Sequence, residues 1–353
     1  CAKNQFIVFV LVGVAALAGF LALKSLPLDA IPDLSDTQVI IYSRWDRSPD
    51  IIEDQVTYPI VTSMLGAPKV KAIRGFSDFG FSYVYIIFED GTDIYWARSR
   101  VMEYLSKIIP RLPEGVRTEL GPDATGVGWV FQYALVDESG KQSLADLRTF
   151  QDWYLRYYIQ SVPGVAEVAP IGGFVRQYQV NIDPNKMLVY RIPIMKVVEA
   201  IRKGNNDVGG RLIEFSGAEY MVRGRGYIKS VKDIEEIVVA LDEKAGTPIL
   251  IKNIANVSLG PELRRGVADL DGKGDVVGGI VVMRQGESAL RVIDRVKDKL
   301  KEIEPSLPQG VKIVTTYDRS ELILKSLETI NEVLVEDFVI VAIMIIFFLL
   351  HIP

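Results

Sequence analysis

The run FIVFVLVGVAALAGFLAL, from Phe6 to Leu23, decides how the rest of the chain is arranged. It carries no charge, no proline and no polar side chain. As a helix that rises 1.5 Å per residue, a run of this length measures about 27 Å, close to the roughly 30 Å of a bilayer core. The sequence therefore predicts a first transmembrane helix within residues 1–26, which ties everything after it to a lipid bilayer.

A cleaved signal peptide is the alternative interpretation, because Lys3 forms a thin basic region and Ala16–Gly19 imitates a small-residue cleavage site. The run is longer than most such segments, and a second apolar run, Phe338–Leu350, lies near the other end. As a helix this second run measures about 20 Å, which is too short to cross a bilayer. We expect residues 321–353 to form an amphipathic helix that leads into a truncated second transmembrane helix.

Composition limits what the region between the two apolar runs can do. The chain has a net charge of −5 and a pI of about 5.3, and its basic residues are scattered among acids, so no basic face is offered to nucleic acid. The sole cysteine, Cys1, precedes the first apolar run, which excludes a disulfide framework in this region. A region of this length should form two or three compact domains.

The first domain is predicted over residues 27–120. A strand near Thr37 precedes a helix that Ser48 and Pro49 begin, two β-rich runs follow, Asp93 begins a second helix, and GVRTEL closes the unit. The order β-α-β-β-α-β is that of the split βαβ unit known as ferredoxin-like. The predicted fold class is therefore α+β.

The same order of elements then starts again. A second ferredoxin-like domain is predicted in two pieces, residues 121–170 and 261–320. The two domains share a closing phrase, RLPEGVRTEL at 111–120 and SLPQGVKIVT at 306–315, which indicates an internal duplication.

Residues 171–260 form an insertion in the second domain. Strands are predicted at 174–183, 219–227 and 247–260, with a helix at about 193–203 and a capping box from Ser230 to Asp233. Its tip, Gly204–Gly217, carries the apolar residues Leu212, Ile213 and Phe215 among glycines and polar residues. We expect a neighbouring subunit to cover this segment; a local turn that folds back onto its own domain is the alternative.

No catalytic motif is found. The only histidine, His351, cannot supply a histidine zinc site or a Ser-His pair, and Gly121–Gly128 lacks the Lys-Ser/Thr of a phosphate loop and is interpreted as a joint between domains. Three acids after the first helix, Asp29, Asp33 and Asp36, are interpreted as a solvated linker, with an acidic mouth for a hard cation as the alternative.

Two sets of side chains are assigned to packing rather than to ligands. The seven methionines form no close cluster, so each is expected to fill a core instead of binding a soft metal. A second set is aromatic and is expected to form a core-facing and interface stripe, namely Phe150, Trp153, Tyr154, Tyr157 and Tyr158.

Several stretches, among them LDAIPDLSDTQVII at 28–41, GPDATGVGWVFQYALVD at 121–137 and GPELRRGVADLDGKGDVVGGIVVMR at 260–284, carry a resemblance. The chain closely resembles the N-terminal third of the heavy-metal-efflux branch of the resistance-nodulation-division (RND) transporters, CusA/CzcA type. The resemblance implies a proton-driven, homotrimeric exporter of metal ions in the bacterial inner membrane, with its large loop in the periplasm. It also implies two protein partners, a periplasmic adaptor (membrane fusion protein) and an outer-membrane channel.

The resemblance also implies roles for the domains. Residues 27–120 would be porter subdomain 1, residues 121–170 with 261–320 porter subdomain 2, and residues 171–260 a docking subdomain. The family's metal-binding and proton-relay residues fall outside this stretch, so no catalytic, cofactor or metal residue is assigned, and the metal ion is substrate. Copper and silver members of the resembled family can carry methionine where this chain has Leu263, which leaves copper and silver open and zinc, cobalt and nickel still possible.

Two other classes of function remain as alternatives. Mixed α/β domains between two membrane helices would also suit a permease subunit that transmits motion from a cytoplasmic ATPase. A membrane-anchored enzyme ranks third, because no catalytic constellation is present.

Overall fold

The computed structural model describes residues 5–25, 29, 31–207, 209–241, 246–264 and 266–349. Cys1, Lys3 and His351 lie outside the described residues. The chain divides into two compact units. The large unit comprises Cys1–Ser143, Phe150–Gly172 and Ala268–Pro353, and the insertion unit comprises Leu144–Thr149 and Gly173–Val267.

Helix α1 covers Gln5–Ser25 and contains the first apolar run. Its described side chains, Phe6 to Ala22, are all exposed. Among the side chains that the structure describes, no helix offers a stretch both long and apolar enough to cross a membrane.

Four strands and two helical segments follow and form the first repeat. Its elements are β1 (Gln38–Arg44), α2 (Pro49–Ile52), a π-helical turn (Glu53–Thr57), α3 (Tyr58–Met64), β2 (Val70–Asp78), β3 (Phe81–Phe88), α4 (Ile94–Ile108) and β4 (Arg117–Leu120). The strands form one antiparallel sheet in the order β2-β3-β1-β4.

Local sequence signals explain these elements. In β1 every second side chain is buried, so Val39 and Ile41 face the helices and Tyr42 faces the other way. The Asp93 carboxylate accepts a hydrogen bond from the backbone N–H of Trp96 at 2.7 Å and begins α4, as predicted. Ser48 is the N-cap of α2, as predicted, although its hydroxyl makes no capping hydrogen bond. Pro49 at the first helical position also favours this start.

The second repeat begins with β5 (Trp129–Asp137), α5 (Leu144–Phe150), a π-helical turn (Gln151–Leu155), α6 (Arg156–Gln160) and β6 (Val165–Gly172). It is interrupted there by the insertion unit.

The insertion unit contains three antiparallel strand pairs, β7 with β12, β8 with β9 and β10 with β11. Its core includes Val197, Ile234 and Ile251. Its elements after β6 are β7 (Arg176–Ile182), α7 (Pro184–Tyr190), α8 (Ile194–Gly204), β8 (Leu212–Phe215), β9 (Ala218–Met221), α9 (Val231–Glu235), β10 (Val238–Leu241), β11 (Pro248–Leu250), α10 (Ile251–Ile254) and β12 (Ala255–Pro261).

Some predictions for this unit are confirmed and others are wrong. The capping box is confirmed, because Ser230 Oγ accepts from the Asp233 N–H at 3.3 Å and Asp233 Oδ2 accepts from the Ser230 N–H at 2.9 Å. The single strand predicted at 247–260 is instead β11, α10 and β12. Asn253 Oδ1 accepts from the Leu250 N–H at 2.8 Å and so begins a short helical turn between the strands. Helix α7 was not predicted.

The second repeat is completed by β13 (Val277–Met283), α11 (Ala289–Ile303) and β14 (Val311–Asp318), which leads into α12 (Arg319–Leu349). Its antiparallel sheet has the order β14-β5-β13-β6, the same order as in the first repeat. Val292, Val296 and Leu300 on one face of α11 are buried. The Asp318 carboxylate caps α12 by accepting from the Ser320 N–H at 2.9 Å.

Candidate functional site

A cleft of about 780 Å³ lies between the two sheets of the large unit. Tyr42, Tyr83 and Tyr85 line it from the first repeat, while Arg156 and Glu167 line it from the second. The tyrosines reach the cleft because they occupy the alternate positions of β1 and β3, opposite the buried Ile41, Val84 and Ile86. This arrangement combines aromatic faces with charges of both signs.

The tyrosines belong to a larger group of rings on the open face of the first sheet. Tyr83 has its ring centroid 6.0 Å from that of Tyr42, 6.2 Å from Phe81 and 6.3 Å from Phe76. The guanidinium carbon of Arg44 lies 5.8 Å from the Phe81 ring. Rings at these spacings attract each other, and the cation adds to that attraction.

The joint Gly121–Gly128 lines the cleft with its first three residues and is bonded to both repeats. Arg98 on α4 donates to the Gly121 carbonyl at 2.7 Å. The Tyr95 hydroxyl donates to Asp123 Oδ2 at 3.1 Å, and Arg284 Nε lies 3.4 Å from the same oxygen. Burial, and after it the bond to Asp123, raises the pKa of Tyr95, which therefore stays protonated and can donate. Asp123 thus connects α4 with the loop after β13.

The three acids after α1 are exposed, as predicted for a linker, but each of them has a partner. Asp29 accepts from Arg319 at 3.3 Å, Asp33 accepts from the Thr125 hydroxyl at 2.7 Å, and Asp36 accepts from Lys71 at 3.1 Å. Burial opposes ionisation of Asp33, but its bonds to Thr125 and Ser35 prevail and lower its pKa. These contacts attach the segment after α1 to the rest of the large unit. They give no support to the alternative that the three acids bind a cation.

Arg319 is the most buried charge in this region, with 3% of its side chain exposed. Besides Asp29, its Nη1 contacts the carbonyl of Val127 at 2.6 Å. Beside it, Lys297 pairs with Asp318 at 2.5 Å. Sequence reasoning missed Arg319 and Asp123. The available signals were an arginine directly after a helix-capping aspartate and a single carboxylate inside a glycine-rich joint.

Within the part of the chain that the structure describes, no group of three or more His, Cys, Asp or Glu side chains could hold a metal ion. The prediction that each methionine fills a core holds for Met64 and Met283, which are buried. It is wrong for Met102, Met195, Met221 and Met344, which are more than half exposed.

The prediction of a core-facing aromatic stripe in the second repeat is also partly wrong. Phe150, Tyr154 and Tyr158 do form a ladder, with ring centroids 4.9 and 4.7 Å apart. Trp153 and Tyr157 lie beside it and are 72% and 57% exposed. Gln151 and Leu155 of the π-helical turn enter the core, whereas Phe150 and Tyr154 are half-buried and the other three rings are exposed.

The tip of the insertion unit is an exposed hairpin. Strands β8 and β9 pair through Phe215 and Ala218, and Ser216 and Gly217 between them both have positive φ, as a two-residue type I′ turn requires. Leu212, Ile213 and Phe215 are 57%, 53% and 70% exposed, so they do not fold back onto a core of their own unit.

The family model and the individual relatives that match this chain agree with each other. A family model described as the AcrB/AcrD/AcrF family matches residues 2–353. The chain is 50% identical to the cation efflux system protein CusA of Escherichia coli K12 and 49% identical to the putative cation efflux system protein SilA of Salmonella typhimurium, in each case over 99% of this chain and 33% of the relative. It is 38% identical to the cobalt-zinc-cadmium resistance protein CzcA of Cupriavidus metallidurans, over 98% of this chain and 33% of CzcA.

A solved structure is also similar. A crystal structure of a heavy metal efflux pump superposes with a TM-score of 0.88 at 29% identity and covers 99% of this chain and 35% of the pump. The chain thus spans about a third of the length of the relatives that it matches.

Proposed function

Because the chain belongs to the AcrB/AcrD/AcrF family, we propose that it forms the N-terminal, membrane-anchored periplasmic part of a proton-driven heavy-metal cation exporter. The match along nearly the whole chain to cation efflux proteins is the observation that carries this proposal. The permease-subunit alternative is not supported by these relatives, and neither is a membrane-anchored enzyme.

The proposed architecture assigns the two repeats as ferredoxin-like porter subdomains, residues 27–120 and residues 121–170 with 261–320. The insertion at 171–260 is assigned as a docking subdomain. Support comes from the shared strand order of the two sheets and from the position of the insertion between β6 and β13. The cleft between the repeats would then lie inside the porter region.

We place this part of the protein in the bacterial inner membrane, with the two repeats and the insertion in the periplasm. The apolar run of the sequence, Phe6–Leu23, supports a crossing by α1, and the apolar end of α12 supports a return to the membrane. Reporter fusions near Gly140 and Gly246 test the topology. An export-dependent alkaline phosphatase should be active at both positions, and activity of a cytoplasmic reporter at both would contradict it.

The proposed assembly is a homotrimer that works with a periplasmic adaptor and an outer-membrane channel. The exported ion is copper or silver, or else zinc, cobalt or nickel. Sequence identity is greater to CusA and SilA than to CzcA, which favours copper or silver. Leu263, which is 79% exposed, counts against them, because it stands where copper and silver members can carry methionine.

A chimera tests the function. The matching third of CusA from Escherichia coli is replaced by this chain, and growth of an exporter-deficient strain is measured on each of the five metals. We expect resistance to return for at least one metal, and Leu263→Met tests whether this position shifts the preference. Residues 1–353 expressed alone should leave sensitivity unchanged. A chimera that assembles in the membrane but protects against none of the metals, or a fragment that protects by itself, would contradict the proposal.

A further inference from the structure

Three connecting segments of the large unit meet at one arginine. Arg319, the first residue of α12, contacts Asp29 in the segment after α1 at 3.3 Å and the Val127 carbonyl in the joint at 2.6 Å. Asp33 accepts from Thr125 at 2.7 Å and ties the same two segments together a second time. The start of α12 is thus bonded to both segments.

The burial of Arg319 makes this contact hard to break. Its side chain is 3% exposed, and its Nε is buried without a partner among the described residues. Losing the contact with the exposed Asp29 would leave the buried Arg319 charge without its carboxylate partner, which is unfavourable. A guanidinium can contact two acceptors at fixed angles, whereas a lysine presents a single point charge. Arg319 is therefore suited to hold Asp29 and Val127 at a fixed spacing.

A second set of contacts lies at the other end of the joint, where the joint lines the cleft. Asp123 accepts from Tyr95 on α4 at 3.1 Å, and Arg284 after β13 lies 3.4 Å from the same oxygen. The Asp123 carbonyl accepts from the Gln285 N–H at 3.0 Å. Gly121, Pro122 and Asp123 also line the cleft, so the conformation of the joint sets how far apart the two repeats stand.

We propose that Arg319 and Asp123 form a two-point latch, in which Asp123 holds the two repeats together at the cleft and Arg319 transmits movement of α12 to the joint. Helix α12 has 31 residues and is about 46 Å long, so a small tilt of its far end turns the arginine at its start. Arg319 is a positioning residue in this arrangement. The latch depends on contacts within this chain and not on the identity of an exported ion.

Distance measurements across the cleft test the latch. Spin labels are attached at two exposed positions, one in each repeat: Ser106→Cys on α4 and Ser161→Cys after α6. The full chain is used in detergent, and Cys1→Ser removes the native thiol. We expect Arg319→Ala to lengthen the mean distance by more than about 2 Å, the size typical of a domain rearrangement, and to broaden its distribution. Arg319→Lys should give an intermediate result, because it keeps the charge and its donors but lacks the rigid planar geometry of the guanidinium.

Arg295→Ala is the matched control. Arg295 also donates to a backbone carbonyl, that of Pro163 at 3.1 Å, but it does not contact the joint, and its replacement should leave the distance unchanged. If Arg319→Ala fails to fold, Asp123→Asn with Tyr95→Phe opens the other end of the latch by a milder change and should lengthen the same distance. Folded variants of both ends that keep the wild-type distribution would overturn the proposal and leave Arg319 with a purely structural role.

Discussion

The two repeats share a strand order but differ in how their second and third strands are connected. In the first repeat, β2 and β3 are joined by the tight turn Phe79–Gly80. In the second repeat, the chain leaves at Gly172 and returns at Val277, which is paired with Gly172 across the sheet. The larger part of the insertion unit, Gly173–Val267, lies between these two residues. Neighbouring strand ends tolerate a long insertion because closing a longer loop costs little extra entropy.

The helices that follow the first strand of each repeat show a subtler difference. Both contain a π-helical turn, Glu53–Thr57 and Gln151–Leu155, and each turn buries a polar side chain against the sheet. Thr57 shares hydrogen bonds with the hydroxyls of Ser77 and Ser82 at 2.7 and 2.8 Å. Gln151 instead accepts from the Tyr133 hydroxyl at 2.8 Å. The irregular backbone is common to both repeats, while the polar partners are particular to each.

The largest expected effect concerns the point where the insertion leaves the second repeat. A Cβ on Gly172 would lie 2.0 Å from the Val276 carbonyl oxygen, and its φ is +70°. Gly172→Ala should lower the free energy of unfolding by about 3 kcal/mol or more. Urea denaturation followed by Trp129 and Trp153, with Trp45 and Trp96 replaced by Phe, reports on this repeat. Gly140→Ala, at φ +65° in open space, is the control and should cost about 1 to 2 kcal/mol. Equal losses of stability in the two variants would show that the positive φ, and not the close approach of the Val276 carbonyl, determines the cost at Gly172.

The buried polar groups should differ in their effect on stability. Gln151→Leu leaves the Tyr133 hydroxyl buried without an acceptor, so we expect a loss of about 1 to 3 kcal/mol. Adding Tyr133→Phe should recover part of this loss, because neither partner is then stranded. In the first repeat, Thr57→Val should cost about 1 to 2 kcal/mol, because the buried Ser82 hydroxyl loses this partner while half-buried Ser77 can reach water. A double variant no more stable than Gln151→Leu would contradict this account.

Acid should weaken the second repeat through protonation of Asp318. Burial of Asp318 opposes its ionisation, but its bonds to Lys297 and Ser320 prevail and hold its pKa below the ordinary value of 3.8. A lowered pKa in the folded state gives stability that is present above the ordinary value and is lost as the pH falls through the lower one. Denaturation between about pH 5 and pH 2 should show this loss through Trp129 and Trp153.

Lys297→Met should reduce this dependence on pH and cost about 1 to 2 kcal/mol near neutral pH. The control is Lys299→Met, which removes a lysine that pairs with the exposed Glu302 at 2.8 Å and should have little effect. A Lys297→Met variant that keeps the wild-type dependence on pH would contradict the role of Asp318.

The smallest effect on folding, with a selective effect on assembly, is expected at the hairpin of the insertion unit. Replacing Leu212, Ile213 and Phe215 by Ser should leave unfolding within about 0.5 kcal/mol of the wild type, because these side chains are exposed. In the full-length protein it should lower the trimer fraction in mild detergent. A triple replacement by Ser on another exposed apolar surface, at Leu188, Val189 and Tyr190, provides a matched comparison. An unchanged trimer fraction would count against an intersubunit hairpin.

Much of this molecule follows from the sequence because the signals are local. Alternating burial in β1, the apolar stripe of α4, the Asp93 cap and the capping box at Ser230 each depend on residues a few positions apart. The repeated order of elements and the insertion are also visible in the printed sequence, since they need only the succession of such signals.

Tertiary structure alone decided what the connecting segments do. Asp29 and Arg319 lie 290 positions apart, and no periodicity relates an acid after the first helix to an arginine at the start of the last one. The exposed methionines and the burial of Gln151 were missed for a related reason. Residue type indicates what a side chain prefers, whereas the packing of two sheets and a π-helical turn determine which face it occupies.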